Sequence, residues 1–217
     1  MNRSCLVRVV IVMFGLLAIP ASAEDYFWNN DGAAGNFTNA ANWLTNGVAP
    51  GAPPGAGDHA NFDHAVDFAV NWSSSELNAR ALFNAAAGTA TLKIGGNTWT
   101  LTNSFIVGQN GGAAATVVLT DGVLAVANDA GTASLIVGQA GKGTFTLSNG
   151  TVWANQLLAT NTVLGGVTNS IFNFNGGTLI TSNAANQVAA RITFPYVAAD
   201  VRFNLNGSWS MLGGTNL

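Results

Sequence analysis

The chain has 217 residues, 48% of them hydrophobic and only 8% charged, with a formal net charge of −3. Ordinary globular proteins carry about 25% charged residues, so the polar surface here must come from Asn, Thr, Ser and Gln. No basic surplus is present to neutralise phosphates, which argues against nucleic acid as a partner, and the hydrophobic content excludes a disordered polar chain.

In chain order, the first element is a leader. Arg3 and Arg8 make a positive start, residues 9–19 form an uncharged apolar run, and Ala21-Ser22-Ala23 supplies small residues at a cut site. This is the layout of a secretory signal peptide over residues 1–23, cleaved after Ala23. The apolar run is well short of the roughly 20 residues a membrane span needs. The mature chain is therefore expected to be exported, extracellular or at the cell surface, with no membrane span after cleavage. The only cysteine, Cys5, leaves with the leader. Disulfides, thiolate metal sites and cysteine nucleophiles are thereby excluded from the mature chain. Five basic residues then remain (Arg80, Lys93, Lys142, Arg191 and Arg202) against ten acidic ones, a net charge of −5.

Residues 24–75 are predicted to form a small Trp-containing β module, with Trp28 and Trp43 as its core. Asp58-His59, Asp63-His64 and Asp67 hold both histidines and make the one cluster of candidate metal ligands. In a strand over residues 60–70, Asp63 and Asp67 share a face with His59, whereas His64 points the other way. Neighbours at i, i+2 on a strand stand about 6–7 Å apart. Three ligands along such a line do not converge on one ion, so no metal site is assigned.

Beyond residue 75 the pattern is repetitive. Residues 78–87 are Ala-rich and suit one or two helical turns. Phe105-Ile106-Val107-Gly108-Gln109 recurs as Leu135-Ile136-Val137-Gly138-Gln139. Each copy leads through a Gly/Ala loop into an alternating strand and a tight turn, ending Thr120-Asp121-Gly122 in the first and Ser148-Asn149-Gly150 in the second. Turns at Gly95, Gly176 and Gly207 extend the series at a regular, though not strict, spacing. In Thr144-Phe145-Thr146-Leu147 the alternation puts Phe145 and Leu147 on one face and the threonines on the other. Asn-Gly and Asp-Gly tolerate positive φ at the bends.

Two architectures suit this pattern. Asn-Gly between short strands ordinarily reads as a hairpin, giving an antiparallel sandwich. A repeat of about 28 residues carrying two or three strands instead fits one coil of a parallel solenoid, and the near-identity of the Ile-Val-Gly-Gln segments favours it. The expectation for residues 76–217 is an all-β, short right-handed parallel β-solenoid (β-helix) of about five coils. At the strand spacing of ~4.8 Å it would be about 24 Å long.

Two stretches resemble a known family. One is Ile136-Val137-Gly138-Gln139 leading to Gly141-Lys142-Gly143-Thr144-Phe145-Thr146-Leu147-Ser148-Asn149-Gly150. The other runs from Trp28 through Asn42-Trp43 to Pro50, Pro54 and Gly57-Asp58-His59-Ala60. They resemble the secreted β-solenoid proteins with autotransporter-associated β-strand repeats of planctomycetes and verrucomicrobia, many of which end in a PEP-CTERM-type sorting signal. The resemblance implies an extracellular structural or adhesive role and brings no catalytic residues. The chain departs from the pattern at Gly213-Gly214-Thr215-Asn216-Leu217, which has no sorting helix, basic tail or membrane barrel. A solenoid ending there exposes an unpaired edge, so self-association through the C-terminal edge, or continuation in a longer chain, is expected.

A β-helix polysaccharide-degrading enzyme needs paired carboxylates, or acidic cation ligands with a base. In the repeats after Glu76 the acids are Asp121, Asp129 and Asp200, far apart in sequence, and Asp121 holds the turn position that Asn149 holds in the next copy. Nothing places Arg191 beside Asp200. No phosphate-cradling Gly motif or nucleophile elbow is present, and no cofactor is implied. Trp99, Trp153 and Trp209 are the candidate glycan contacts, because flat aromatic faces stack on sugar rings. The sequence thus reads as a non-catalytic exported structural or adhesive protein. The competing class is an extracellular glycan-binding module, with glycans or other surface proteins as partners.

Overall fold

The computed structural model describes residues 22–30, 34–159 and 170–182, together with the strand backbone of 191–193, 203–205 and 208–212. The expected leader lies outside the described residues apart from Ser22 and Ala23. The strands in chain order are β1 (Asp25–Trp28), β2 (Ala34–Asn36), β3 (Trp43–Leu44), β4 (His59–Phe62), β5 (Phe68–Asn71) and β6 (Glu76–Phe83). Then follow β7 (Thr89–Val107), β8 (Ala114–Val126), β9 (Ser134–Val137), β10 (Lys142–Leu147), β11 (Thr151–Ala154) and β12 (Gln156–Ala159). The series closes with β13 (Ile171–Phe174), β14 (Thr178–Ser182), β15 (Arg191–Thr193), β16 (Phe203–Leu205) and β17 (Ser208–Leu212). One 3-10 turn, Ala40–Asn42, is the sole helical element among the described residues.

These strands pair into one large, mostly parallel sheet. The pairing sorts into three ladders. Ladder one runs β2, β5, the start of β7, the start of β8, β10, β13 and β16. Ladder two runs through the start of β6, the middle of β7, the end of β8, β11, β14 and β17. Ladder three runs β1, β4, the end of β6, the end of β7, β9, β12 and β15. From β7 onward the chain visits ladders one, two and three in the same order, then begins again.

Period-2 alternation decides what each strand buries. In ladder one, Val70, Leu92, Leu119, Leu147 and Phe174 stand in one register column, and all are fully buried. Trp99, Leu124, Val152 and Leu179 make the corresponding column of ladder two. Phe105, Leu135 and Leu157 make that of ladder three. Each such side chain contributes about 1.5–3 kcal/mol by leaving water. That term carries the fold, since the described residues include no cysteine for a disulfide.

The corner between ladders one and two is a column of glycines at positive φ: Gly95, Gly122, Gly150 and Gly177. The expected marker Gly176 gives way to its neighbour, because the left-handed conformation falls on Gly177, with φ +79°. Gly207 lies outside the described residues. Asp121 answers the turn chemistry by accepting the Gly95 N–H of the layer before at 2.7 Å. Two other local expectations are corrected. Residues 78–83 are strand, not helix, because Ala81, Leu82 and Phe83 pair in parallel with Phe105, Ile106 and Val107 as well as with β4. Residues 63–67 are not strand but the bend between β4 and β5.

At the N-terminal end an aromatic cluster fills the interior. Trp43 is fully buried, with ring centroids 5.0 Å from Phe37, 5.1 Å from Trp28 and 5.4 Å from Phe62. Its indole N–H donates to the Phe37 carbonyl at 2.7 Å. β3 pairs antiparallel with β1 and so covers the edge of β1 that β4 leaves free. The core is continuous across residue 75: Phe62 stacks on Phe83 at 4.4 Å, and Phe37 packs on Trp99 at 5.3 Å.

Candidate functional site

The acid and histidine cluster is taken apart by the fold. Asp58 accepts the Glu24 and Gly55 N–H groups at 3.1 and 2.8 Å. Asp67 accepts the Thr89 N–H at 2.8 Å, His59 turns to Asp25, and the His64 ring donates to the Trp28 carbonyl. Among the described residues no three His, Cys, Asp or Glu side chains gather as a cation would require. Burial pushes the Asp63 carboxyl above its ordinary range, with the neighbouring His64 charge opposing.

A different polar group appears on ladder three. Asp25, His59, Arg80 and Ser104 stand in one register column. The Asp25 carboxylate meets His59 Nδ1 at 3.0 Å, Asn61 Nδ2 at 3.2 Å and an Arg80 guanidinium nitrogen at 3.4 Å. Burial by itself raises Asp25, but the His59 and Asn61 hydrogen bonds and the His59 and Arg80 charges outweigh it, leaving the carboxyl below its usual 3.8. A carboxylate on Nδ1 is how a histidine base is oriented. Here Arg80 occupies the next layer, and Ser104 stands two layers away, about 9.6 Å at ~4.8 Å each. That is beyond the reach a nucleophile–base pair needs.

The Asp25 group is a stabilising one with a testable pH signature. A folded value below the unfolded one means its contribution is complete above about 3.8 and lost as pH falls through the folded value. Asp25→Asn is expected to cost less than about 1 kcal/mol near pH 7, since the carboxylate is half exposed and water screens the pair. The same variant should also soften the loss of stability on the acid side. Urea melts near pH 7 and about pH 3 check both effects, and an unchanged acid limb counts against the assignment.

The tryptophans divide by strand parity. Trp28 and Trp43 are core, 2% and 0% exposed. Trp99 is corrected as a glycan contact. It faces inward opposite Leu124, is 0% exposed, and donates its indole N–H to Asn78 Oδ1 at 2.7 Å. Trp153 lies in the same ladder at the opposite parity, opposite Ala125, and is 38% exposed. Trp209 lies in β17 opposite Leu179; its side chain, like those of Arg191 and Asp200, lies outside the described residues.

Parity also assembles what surrounds Trp153. The positions of outward parity in ladder two form two columns, in which Ala125 is nonetheless buried, 6% exposed. One holds Thr98, Val123, Thr151 and Thr178. The other holds Leu77, Thr100, Ala125, Trp153 and Ile180. None of the nine is charged. Exposed Asn149 and Asn175 flank the face at the corner with ladder one. This flat, neutral face with one exposed indole is the candidate site. The threonine columns were legible as alternation but not as columns, because their alignment depends on inter-layer register. The Asp25–Arg80 contact spans 55 residues, and no local signal announces it.

No family model matches this sequence, and neither a curated protein nor a solved structure matches it.

Proposed function

We propose that this chain is an exported, non-catalytic structural or adhesive protein of the bacterial cell surface or envelope. We further propose that it is built as a short right-handed parallel β-solenoid of about five coils. The observation that carries the reading is the fixed order of the three parallel ladders. Leu92, Leu119, Leu147 and Phe174 stand in one register column at nearly equal intervals along the sequence. Chain that returns to the same ladder in parallel at a near-constant interval is the pattern of coils stacked along an axis. The right hand is the one that nearly all parallel crossovers adopt. Residues 24–75 are the cap, with β3 closing the β1 edge and the aromatic cluster closing the interior. In such a stack each layer contacts only its neighbours, which suits a passive spacer that displays its outer faces.

The coil arrangement is tested by bridging cysteine pairs with dibromobimane in a mature chain that is otherwise free of thiols. Thr116→Cys with Thr144→Cys sit one layer apart, ~4.8 Å, and are expected to bridge. Thr116→Cys with Ile171→Cys sit two layers apart and are expected to bridge far less. Equal bridging by the two pairs overturns the stacking. A mature N-terminus at Glu24 and antibody labelling of intact cells support export. Retention of residues 1–23 in the cytosolic fraction overturns it.

A further inference from the structure

We infer that the outer face of ladder two binds an uncharged polysaccharide with flat ring faces, on Trp153 as the stacking platform. The inference rests on the exported, surface-displayed reading and names the ligand class of that surface.

The case begins with Trp153 itself. Parity puts this large amphipathic side chain on the outer face of β11, 38% exposed. Trp28, Trp43, Trp72 and Trp99 are all 6% exposed or less. An indole offers an apolar face and a polar edge, which suits a partner that is apolar on its ring faces and polar around its rim. A sugar ring of equatorial hydroxyls has that shape. The neighbour in the layer before is Ala125, the smallest side chain of the column. Beside the indole, Thr151 on the same strand and Thr178 one layer on present hydroxyls, each able to donate and accept, Thr98 and Thr100 continue them two layers before, and Asn149 and Asn175 add amides at the rim. Both hydrogen-bonding roles are what sugar hydroxyls require.

Charge selects within the glycans. The nine outward residues carry no charge. The ionic groups beside this face are Glu76, next to Leu77 on β6 and accepting the Ser74 hydroxyl, and at the corner Asp121, engaged with the Gly95 N–H, and Lys93, its register partner. Away from Lys93 at the corner, a carboxylated or sulfated chain laid on this face would lose hydration with no cation among the nine residues to replace it. A neutral chain loses nothing of that kind. The five layers from Leu77 to Ile180 extend about 19 Å at ~4.8 Å per layer, room for several sugar rings along the stack. A sheet face held by pairing on both edges is already rigid, so little ordering cost opposes binding.

The test uses the full mature chain in depletion assays on insoluble cellulose and chitin, with alginate beads as the anionic arm. Trp153→Ala and Trp153→Phe are run alongside, and a circular dichroism melt shows that each is folded. Retention is expected on a neutral matrix and not on alginate. Trp153→Ala should weaken retention about tenfold or more, and Trp153→Phe less. Should the Ala variant unfold, the Phe variant and quenching of Trp153 fluorescence by acrylamide, with and without soluble cello-oligosaccharide, carry the test. Ligand should shield the indole. Equal binding by folded Trp153→Ala, preference for alginate, or no retention on either neutral matrix overturns the inference. Those failures leave the cysteine bridging and export results untouched, so the two readings fail separately.

Discussion

Gly150→Ala is expected to cost more than about 3 kcal/mol, whereas Gly95→Ala should cost only about 1–2 kcal/mol. Both glycines sit at the same corner of the repeat in the left-handed region, Gly150 at φ +87° and Gly95 at φ +67°. An added Cβ therefore meets the same intrinsic penalty at both positions. The layers differ in what lies beside them. A Cβ on Gly150 would stand 2.6 Å from the Gly122 carbonyl oxygen and 2.8 Å from the Asp121 carbonyl carbon. These are backbone atoms of the adjoining turn, and they cannot retreat without opening the Thr151–Val123 pairing beside them. A Cβ on Gly95 meets nothing within 4 Å. Paired thermal and urea melts decide the matter. For a chain of this size each kcal/mol moves the melting temperature about 2–4 °C, so the two variants should separate clearly. Equal losses would mean that the turns do not stack as closely as the structure has them.

Trp99→Ala carries the other large effect, about 3–5 kcal/mol, as expected for emptying a fully buried aromatic site. Trp99 lies between the N-terminal cluster and the first full layer. Its ring centroid is 4.9 Å from Trp72, 5.3 Å from Phe37 and 5.9 Å from Phe105. Trp99→Phe isolates the polar part. Phe cannot donate to Asn78 Oδ1, and Asn78 is itself fully buried, its amide nitrogen committed to the Pro54 and Gly55 carbonyls at 2.9 Å. Leaving that oxygen without a donor costs about 1–3 kcal/mol, on top of the smaller ring. Trp153→Ala, at the other parity of the same ladder, should shift stability by only about 0.5 kcal/mol. Urea melts of the three variants check the ranking. If Trp99→Ala were as mild as Trp153→Ala, the parity assignment would fail, and with it the exclusion of Trp99 from the surface.

The contrast between two Asn-Gly turns shows how far local chemistry reaches. Asn46-Gly47 forms a true hairpin turn. Both residues are at positive φ, 50° and 78°, and Thr45 bridges Val48 antiparallel. At Asn149-Gly150 only the glycine is at positive φ, and the strands on either side join different parallel ladders. The dipeptide is the same, and a type I′ turn needs both residues left-handed. What separates the two is the offer made to the flanking strands. Thr144–Leu147 and Thr151–Ala154 each find in-register apolar partners one repeat away, whereas Thr45 and Val48 find each other.

The same reasoning divides the candidate site. Alternation in Thr151-Val152-Trp153-Ala154 already implies that Val152 and Trp153 face opposite ways. Which of them faces in depends on whether Val152 or Trp153 joins the column of Leu124 and Leu179. Residue type alone does not decide it, since Thr98-Trp99-Thr100 buries its tryptophan while Thr151-Val152-Trp153 exposes one.

By itself, the sequence determined the all-β class, the near-regular repeat, the glycine corners and a surface of Thr and Asn with few charges. These follow from properties of single residues and their near neighbours: strand propensity, period-2 alternation, and tolerance of positive φ. Only the tertiary structure decided that the strands pair in parallel, which tryptophans are buried, that β3 closes the β1 edge, and that Asp25, His59 and Arg80 meet. Those outcomes depend on register between segments far apart in the sequence. A shift by a single position would exchange the buried and exposed faces of a whole strand, and burial of the best-packed set of columns selects one register over the rest.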